Sequence, residues 1–357
     1  MFDELVGNER IKNLLIRTLK SGRVPGALLY TGEEGLGKKL FALELARALN
    51  CPTPKDNQGC GVCGPCKRIL KFNYPQSAES DDWKTIIWTD HPDVGMVVAP
   101  KRLLVVDQMR LIEREANFRP FEGKARVFLV EDADKLNDSS ANALLKVLEE
   151  PPHTSHIVLL TSRPAMLLPT ILSRCQMIRF APVTVEEIEN HLIQNKLAGP
   201  SEARLRARVA RGSVGRAVQQ DVDLFTSQRQ AMLRVLEALA VSHDHIQLLK
   251  SSEDLNSAQQ KDEYEARLDV LETLIRDAWM LSLAAPNEGI VNADLLPQLK
   301  KIGTQVESWR PARWISQIEE LREQLVVNIN RKSTTDALFL TMATATQPPP
   351  KRRFLIK

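Results

Sequence analysis

The sequence predicts an α/β protein that carries a phosphate-binding loop and a small four-cysteine module and continues into all-helical segments. Three observations predict this fold class. A glycine-rich segment, 32–38, lies between a short apolar run and a helical pattern; strands and helices alternate up to Pro182; and only helical periodicity follows. Because strands that alternate with helices form parallel sheets covered on both faces, we predict that architecture for the first half of the chain.

Short apolar runs bounded by turn residues predict the strands of this sheet. They cover residues 27–31, 126–130, 156–161 and 177–180. Apolar residues at helical spacing predict the helices between them. These cover residues 8–19, 40–49, 105–116 and 140–148. The stretch between the cysteines and Pro100 is polar, and no element is assigned to it.

The change of periodicity after Pro182 sets the domain boundaries. Thr184 and Glu187 form a capping box that begins the first helix of a small helical domain. A second helical domain follows, and its longest predicted helices are 263–281 and 315–329. The basic, proline-rich end of the chain is predicted to be disordered. The predicted domains are 1–183 with a cysteine insertion at 51–66, 184–221, 222–345 and the tail 346–357.

Composition excludes some classes of protein. The chain has 48 Lys and Arg against 45 Asp and Glu, a formal charge of +3, which argues against a protein that coats nucleic acid through bulk electrostatics. A local basic face stays possible. The sequence contains no run of about 18 apolar residues that could span a bilayer, so we expect no membrane association and a cytoplasmic location.

The glycine-rich segment predicts a nucleotide site. Gly32, Gly35 and Gly37 let backbone N–H groups wrap a phosphate, and Lys38 reaches its outer oxygens. The next residue should be Ser or Thr, whose hydroxyl binds the magnesium ion, but it is Lys39. An ammonium group cannot coordinate magnesium.

An acidic pair, Glu131 and Asp132, follows the second predicted strand, where such sites hold the metal and polarise water. The usual order is Asp then Glu, so each carboxylate here has a reach about one methylene too long or too short. Two ordinary acids at a solvated strand end would give the same pattern. The residues therefore leave open nucleotide binding without efficient hydrolysis and a site that binds nothing.

Four cysteines, Cys51, Cys60, Cys63 and Cys66, have the spacing C-x8-C-x2-C-x2-C with glycines and prolines between them. Four thiolates on tight turns predict a structural zinc ion, with reduced cysteines or an iron–sulfur cluster as alternatives. No histidine lies near, so a catalytic metal is not expected. Cys175 stands apart and is interpreted as a small buried residue.

Together with the loop and the cysteine insertion, two further motifs carry a family resemblance. The segments 141–152 (ANALLKVLEEPP) and 170–175 (TILSRC) occur here in an order and spacing that resemble bacterial replicative clamp loaders, the AAA+ subunits of DNA polymerase III. The resemblance extends over nearly the whole chain. Lys39 and the reversed acids resemble the delta-prime branch of that family more than the gamma and tau motor subunits, and so do the segments 328–330 and 336–340.

The resemblance implies a RecA-like AAA+ domain, a helical lid and an all-α collar that closes a five-membered ring with gamma or tau and delta subunits. That ring loads a sliding clamp onto primer-template DNA. The family match assigns Arg174 as an arginine finger for ATP on the neighbouring subunit, although the residue alone reads as a surface arginine at a turn. It also places a phosphate sensor at Thr161. In the lid, Gly215 occupies the position of a second sensor arginine, and Arg216 is displaced by one residue.

The main hypothesis is therefore a ring subunit with weak or absent ATPase and no polymerase active site, able to bind ATP or ADP at most. Two alternatives stay open. One is a self-sufficient ATPase motor of the gamma and tau kind, and the other is a zinc-dependent nucleic-acid-binding module.

Overall fold

The computed structural model describes residues 1–77, 79–257, 261–283, 289–325 and 330–344. The chain divides into two compact units, Met1–Gln219 and Gln220–Lys357, and each is described by itself. The small helical domain predicted after Pro182 is part of the first unit. The tail 346–357, and residues 328 and 329 of the carboxyl-terminal motif, lie outside the described residues.

A six-stranded sheet organises the first unit, with strand order β2-β3-β4-β5-β1-β6. The strands are β1 (Ala27–Thr31), β2 (Ile87–Trp88), β3 (Val94–Val97), β4 (Arg126–Val130), β5 (Ser155–Thr161) and β6 (Gln176–Arg179). All neighbouring pairs are parallel except β2 and β3, which are antiparallel. The prediction of a wholly parallel sheet is thus wrong at one edge. Both β2 and β3 lie in the polar stretch before Pro100, for which the sequence predicts no element.

Helices cover both faces of the sheet, as predicted. They are α1 (Glu9–Lys20), α2 (Lys38–Asn50), α4 (Val106–Ala116), α5 (Asp138–Glu149) and α6 (Pro169–Leu172), while α3 (Gly64–Arg68) belongs to the cysteine module. Side chains of β1 alternate between the two faces: Leu28 and Tyr30 pack in one core with Phe41 of α2, and Leu29 packs in the other with Ile112 of α4. Burial on both faces explains why the central strands read as continuous apolar runs.

The small helical part of this unit comprises α7 (Val185–Gln194), α8 (Pro200–Val209) and α9 (Val214–Gln219). Its first helix begins at the predicted capping box, where the Thr184 hydroxyl accepts from the Glu187 N–H and the Glu187 carboxylate accepts from the Thr184 N–H. Ile188, Leu192, Ala203 and Ala207 form its core.

All regular secondary structure in the described residues of the second unit is helical. Its helices are α10 (Val222–Glu237), α11 (His245–Asn256), α12 (Lys261–Ser282), α13 (Leu296–Gly303), α14 (Trp309–Leu325) and α15 (Arg331–Thr344), with one π-helical turn at Ala238–Ser242. Trp314 is buried and donates its indole N–H to the Met342 carbonyl, which ties α14 to α15. Arg322 of α14 pairs with three acids on α12, namely Glu265, Asp269 and Glu272.

Candidate nucleotide site and cysteine cluster

The loop after β1 has the backbone conformation that its glycines allow. Gly32, Gly35 and Gly37 have φ of 143°, 75° and 85°, a region that strongly favours glycine. A Cβ added at Gly32 would also lie 2.8 Å from the Phe180 carbonyl oxygen. Gly37 is the residue before α2, so the loop leads directly into the N-terminus of that helix. The loop therefore has the position and backbone conformation expected from its sequence, and phosphate binding by it stays a prediction.

Lys38 lies across this loop. Its ammonium group donates to the carbonyl oxygens of Gly32 and Glu33, both at 2.6 Å. Burial lowers the pKa of Lys38, and the nearby Glu34, Asp132, Asp134 and Glu131 only partly offset that effect.

Lys39 takes the place of the expected metal-binding hydroxyl, and its ammonium group is fixed by an acid. Nζ lies 3.1 Å from Glu131 Oε2 and 3.1 Å from the Tyr74 hydroxyl. The rings of Phe72 and Tyr74 lie 5.3 and 5.8 Å from it, within range of cation–π attraction. Burial alone would lower the pKa of Lys39, but the Glu131 charge and the Tyr74 hydrogen bond outweigh it, so the pKa is raised.

These residues do not fit a magnesium ion. Magnesium requires oxygen ligands in octahedral geometry, and the side chain that should supply the hydroxyl is a cation paired with the nearest acid.

The remaining acids at the end of β4 are also engaged. Asp132, at φ 49°, pairs with Lys135 at 2.8 Å. Asp134 accepts a hydrogen bond from the hydroxyl of Thr161 at 2.5 Å, and the same hydroxyl accepts from the Arg163 N–H. The predicted sensor is thus bound to a neighbouring carboxylate. Sequence reasoning missed Asp134, although its position two residues after the acidic pair could have suggested it.

A cavity of about 570 Å³ lies between the loop and the small helical part. Of the predicted site residues, its lining includes Gly35, Gly37, Lys38, Lys39, Glu131, Asp132 and Thr161. His191, Val214, Gly215 and Val218 close it from the helical side. Of these four residues, only Gly215 belongs to a motif that the sequence marks for this site.

The helical part contacts the loop through backbone. The Gly215 N–H donates to the Gly35 carbonyl at 3.0 Å, and the Ser213 hydroxyl accepts from the Arg216 N–H at 3.1 Å. Arg216 itself is exposed and stands outside the described cavity lining. The displacement by one residue therefore points its side chain away from this site.

Arg174 and the loop lie at opposite ends of the strands. Arg174 precedes β6, and β6 pairs with β1 in parallel with Gln176 opposite Leu28 and Arg179 opposite Thr31. Arg174 is therefore near the start of β1, whereas the loop leaves from its end. Its guanidinium is held by Glu149 at 2.6 Å and by the Thr170 carbonyl at 2.9 Å.

The four cysteine sulfur atoms come together, all within 4.8 Å of one another. The Cys51 and Cys63 sulfurs are 3.9 Å apart, close to the roughly 3.8 Å that tetrahedral Zn–S bonds of about 2.3 Å require. Backbone N–H groups of Cys63 and Val62 lower the pKa of the Cys60 thiol to about 6, whereas burial raises the pKa of Cys63 and raises that of Cys66 to about 12. The cluster is thus compatible with metal binding. Cys175 lies elsewhere, and burial raises its pKa to about 12, as expected of an inert thiol.

The cysteine module is attached to α2 and leads into the nucleotide site. Arg47 of α2 is buried beside the module, pairs with Glu44, and lies so close to Gly59 that a Cβ there would be 2.8 Å from its own Cβ. After the module, the Asn73 N–H bonds to the Trp88 carbonyl, which anchors the segment that brings Phe72 and Tyr74 to Lys39. No local sequence pattern predicts this connection.

The family described as "DNA polymerase III, delta subunit" matches residues 7–184, and "DNA polymerase III, delta subunit, C terminal" matches residues 224–333. The delta' subunit of Bacillus subtilis is 28% identical over 93% of this chain and 95% of its own length. That of Escherichia coli is 29% identical over 94% and 93%. The two models together match most of the chain, and it belongs to the DNA polymerase III delta subunit family that they describe.

The structure confirms the predicted fold class in its α/β sheet domain and in the helical segments that follow it. The tau subunit of Escherichia coli is 30% identical over 72% of this chain, but that match covers 38% of tau. Of the described residues, none belongs to a helix long and apolar enough to cross a membrane.

Proposed function

We propose that this chain is a clamp-loader subunit that acts on the nucleotide of its neighbour and hydrolyses little or no ATP itself. Its delta' relatives are named as subunits of DNA polymerase III, and its relatives also include a tau subunit of that polymerase. The chain would take its place in a five-membered ring with gamma or tau and delta subunits in the cytoplasm. That ring would place a sliding clamp on primer-template DNA.

The position of Arg174 carries this proposal. A five-residue parallel strand is roughly 16 Å long, and Arg174 and the phosphate loop lie at opposite ends of the pair formed by β1 and β6. The Arg174 side chain therefore cannot reach the phosphates bound by its own chain. Any nucleotide that it contacts is held by another subunit, where its fixed charge would stabilise the phosphoryl oxygens of the transition state.

The chain's own site supports the second half of the proposal. Lys39 supplies a cation where hydrolysis needs a metal ligand, and it pairs with Glu131, an acid of the pair that should hold the metal or polarise water. The site can bind ATP or ADP through its loop, but it lacks the metal-dependent chemistry of a motor. This favours the trans-acting subunit over the gamma or tau type of motor. For the four-cysteine cluster we propose a structural zinc ion, because no described histidine or carboxylate shares the site.

The test is a loader reconstituted with its gamma or tau and delta partners. Arg174→Ala should leave ring assembly intact and slow hydrolysis at the one site it serves by about 10³-fold, as other arginine fingers do. Arg174→Lys should restore little of the rate, since an ammonium group lacks the planar fork. Arg23→Ala is the matched control, because Arg23 is exposed and precedes β1, at the same end of the strands as Arg174.

Single-turnover hydrolysis resolves the affected site from the others, and size-exclusion chromatography reports assembly. An Arg174→Ala loader that assembles and hydrolyses ATP at the original rate would overturn the proposal. So would an equal loss in the Arg23→Ala loader.

A further inference from the structure

We propose that the chain's own site binds a nucleoside diphosphate or triphosphate without magnesium, and that the Lys39 ammonium group takes the place of the metal cation. This proposal rests on the proposed function in one respect: both take the chain's own site not to hydrolyse ATP. It makes a separate claim about the ligand, namely that the bound species is the metal-free nucleotide.

Lys39 is held in place more firmly than an ordinary surface lysine. Its ammonium group contacts Glu131 and the Tyr74 hydroxyl on one side and the faces of Phe72 and Tyr74 on another. Its side chain is only 30% exposed. Contacts on several sides fix the charge in the first turn of α2, directly after Lys38, in the cavity that the loop lines. A preorganised charge of this kind loses little entropy when an anion binds.

Three acids line the cavity, Glu34, Glu131 and Asp132, and the last two are paired with lysines. Among the described residues, each acid at the end of β4 has a partner: Glu131 with Lys39, Asp132 with Lys135, and Asp134 with Thr161. The phosphates would meet Lys38, Lys39 and the N–H groups at the start of α2. A magnesium ion would instead enter beside a fixed ammonium group, and the two positive charges would repel each other.

Calorimetric titration with ADP tests this in two buffers, one containing EDTA and one containing magnesium. The wild-type chain should bind ADP in EDTA, and magnesium should leave the affinity equal or weaker. Lys39→Ser introduces the hydroxyl of a metal-dependent site. Its affinity in EDTA should fall roughly tenfold or more, the loss expected for a charge-assisted hydrogen bond, and magnesium should restore part of it.

Two variants control the result. Lys20→Ser, at the exposed end of α1, should bind as the wild type does in both buffers. Glu131→Gln keeps a hydrogen-bond acceptor for Lys39 but removes the negative charge that faces the phosphates, so ADP binding in EDTA should become tighter. If Glu131 were a metal ligand, that variant would lose affinity in magnesium. Thermal unfolding followed by circular dichroism confirms that each variant is folded.

Three outcomes would overturn the inference: tenfold tighter binding by the wild type in magnesium, no ADP binding in either buffer, or a Lys39→Ser variant identical to the wild type. None of them bears on the Arg174 experiment, which measures hydrolysis at a neighbouring subunit. The two proposals therefore fail separately.

Discussion

Glu149, the last residue of α5, forms an ion pair with Arg174, with 2.6 Å between Oε1 and Nη2. The Thr170 carbonyl accepts from the other terminal nitrogen of the same guanidinium. The two side chains are 48% and 33% exposed, so the pair stands at the surface and is accessible to a partner. These contacts fix the direction of the Arg174 side chain before any neighbouring subunit is present.

Glu149→Gln should lower ATP hydrolysis by the reconstituted loader, but far less than Arg174→Ala does. A half-exposed ion pair contributes about 0–1 kcal/mol, so a positioning role for Glu149 predicts a loss of about twofold to fivefold. Glu150→Gln is the matched control, since Glu150 is the next residue and is also exposed. The two proteins are compared by single-turnover hydrolysis at equal subunit concentration.

A double variant shows whether Glu149 acts through Arg174. In the Arg174→Ala background, Glu149→Gln should cause no further loss, because the side chain that it positions is gone. A Glu149→Gln loader that hydrolyses ATP at the original rate, or a loss that persists without Arg174, would contradict the positioning role.

Gly35→Ala should destabilise the first unit more than Gly22→Ala does. The two glycines have nearly the same backbone conformation, φ 75° and 67°, so both substitutions incur a left-handed penalty of about 1–2 kcal/mol. Only at Gly35 does the added Cβ meet a neighbour, 2.0 Å from the Ser213 hydroxyl oxygen. Moving that hydroxyl breaks its hydrogen bond from the Arg216 N–H, at a further cost of about 1 kcal/mol.

Thermal unfolding midpoints of the two glycine variants provide the measurement. The midpoint should fall further for Gly35→Ala. Equal midpoints would mean that the helical part does not rest on the loop as described.

The sequence predicts strands most clearly where both faces of a strand are buried. The central strands β1, β4 and β5 are covered on both faces, so each is a continuous apolar run that stands out between turn residues. The two missed strands lack that signal. β2 has only two residues, and β3 contains Gly95, where a side chain would contact Ile86 and Trp88.

Only the part of the candidate site that consists of residues close together in the sequence could be predicted. Glycine spacing identified the loop, and the identity of Lys39 showed that a hydroxyl was missing. The partners of Lys39 lie 35 and 92 residues away at Tyr74 and Glu131, and no local pattern relates such distant residues. Likewise, sequence motifs marked Arg174, but only the parallel pairing of β6 with β1 shows that it faces away from its own phosphate loop.

Removal of metal should unfold the cysteine module locally and leave the sheet intact. The module is held to α2 by packing of Gly59 on Arg47, and its own core consists of the four cysteines. Without an ion to neutralise them, thiolates in such a cluster repel one another. Purified chain should contain one zinc per molecule by atomic absorption, and Cys63→Ser should lose it. Cys175→Ala, which changes the cysteine outside the cluster, should retain it.

Hydrogen exchange shows how far this unfolding extends. After chelation, exchange should accelerate over residues 51–74, which include the aromatic pair beside Lys39, because the segment loses its anchor. Strands β1, β4 and β5 should stay protected, since their hydrogen bonds and cores are independent of the module. Faster exchange across those strands would show that the ion supports the whole unit. Loss of DNA binding by the isolated chain with unchanged exchange would instead favour a zinc-dependent nucleic-acid module. If the cysteines are merely reduced thiols, chelation will change neither metal content nor exchange.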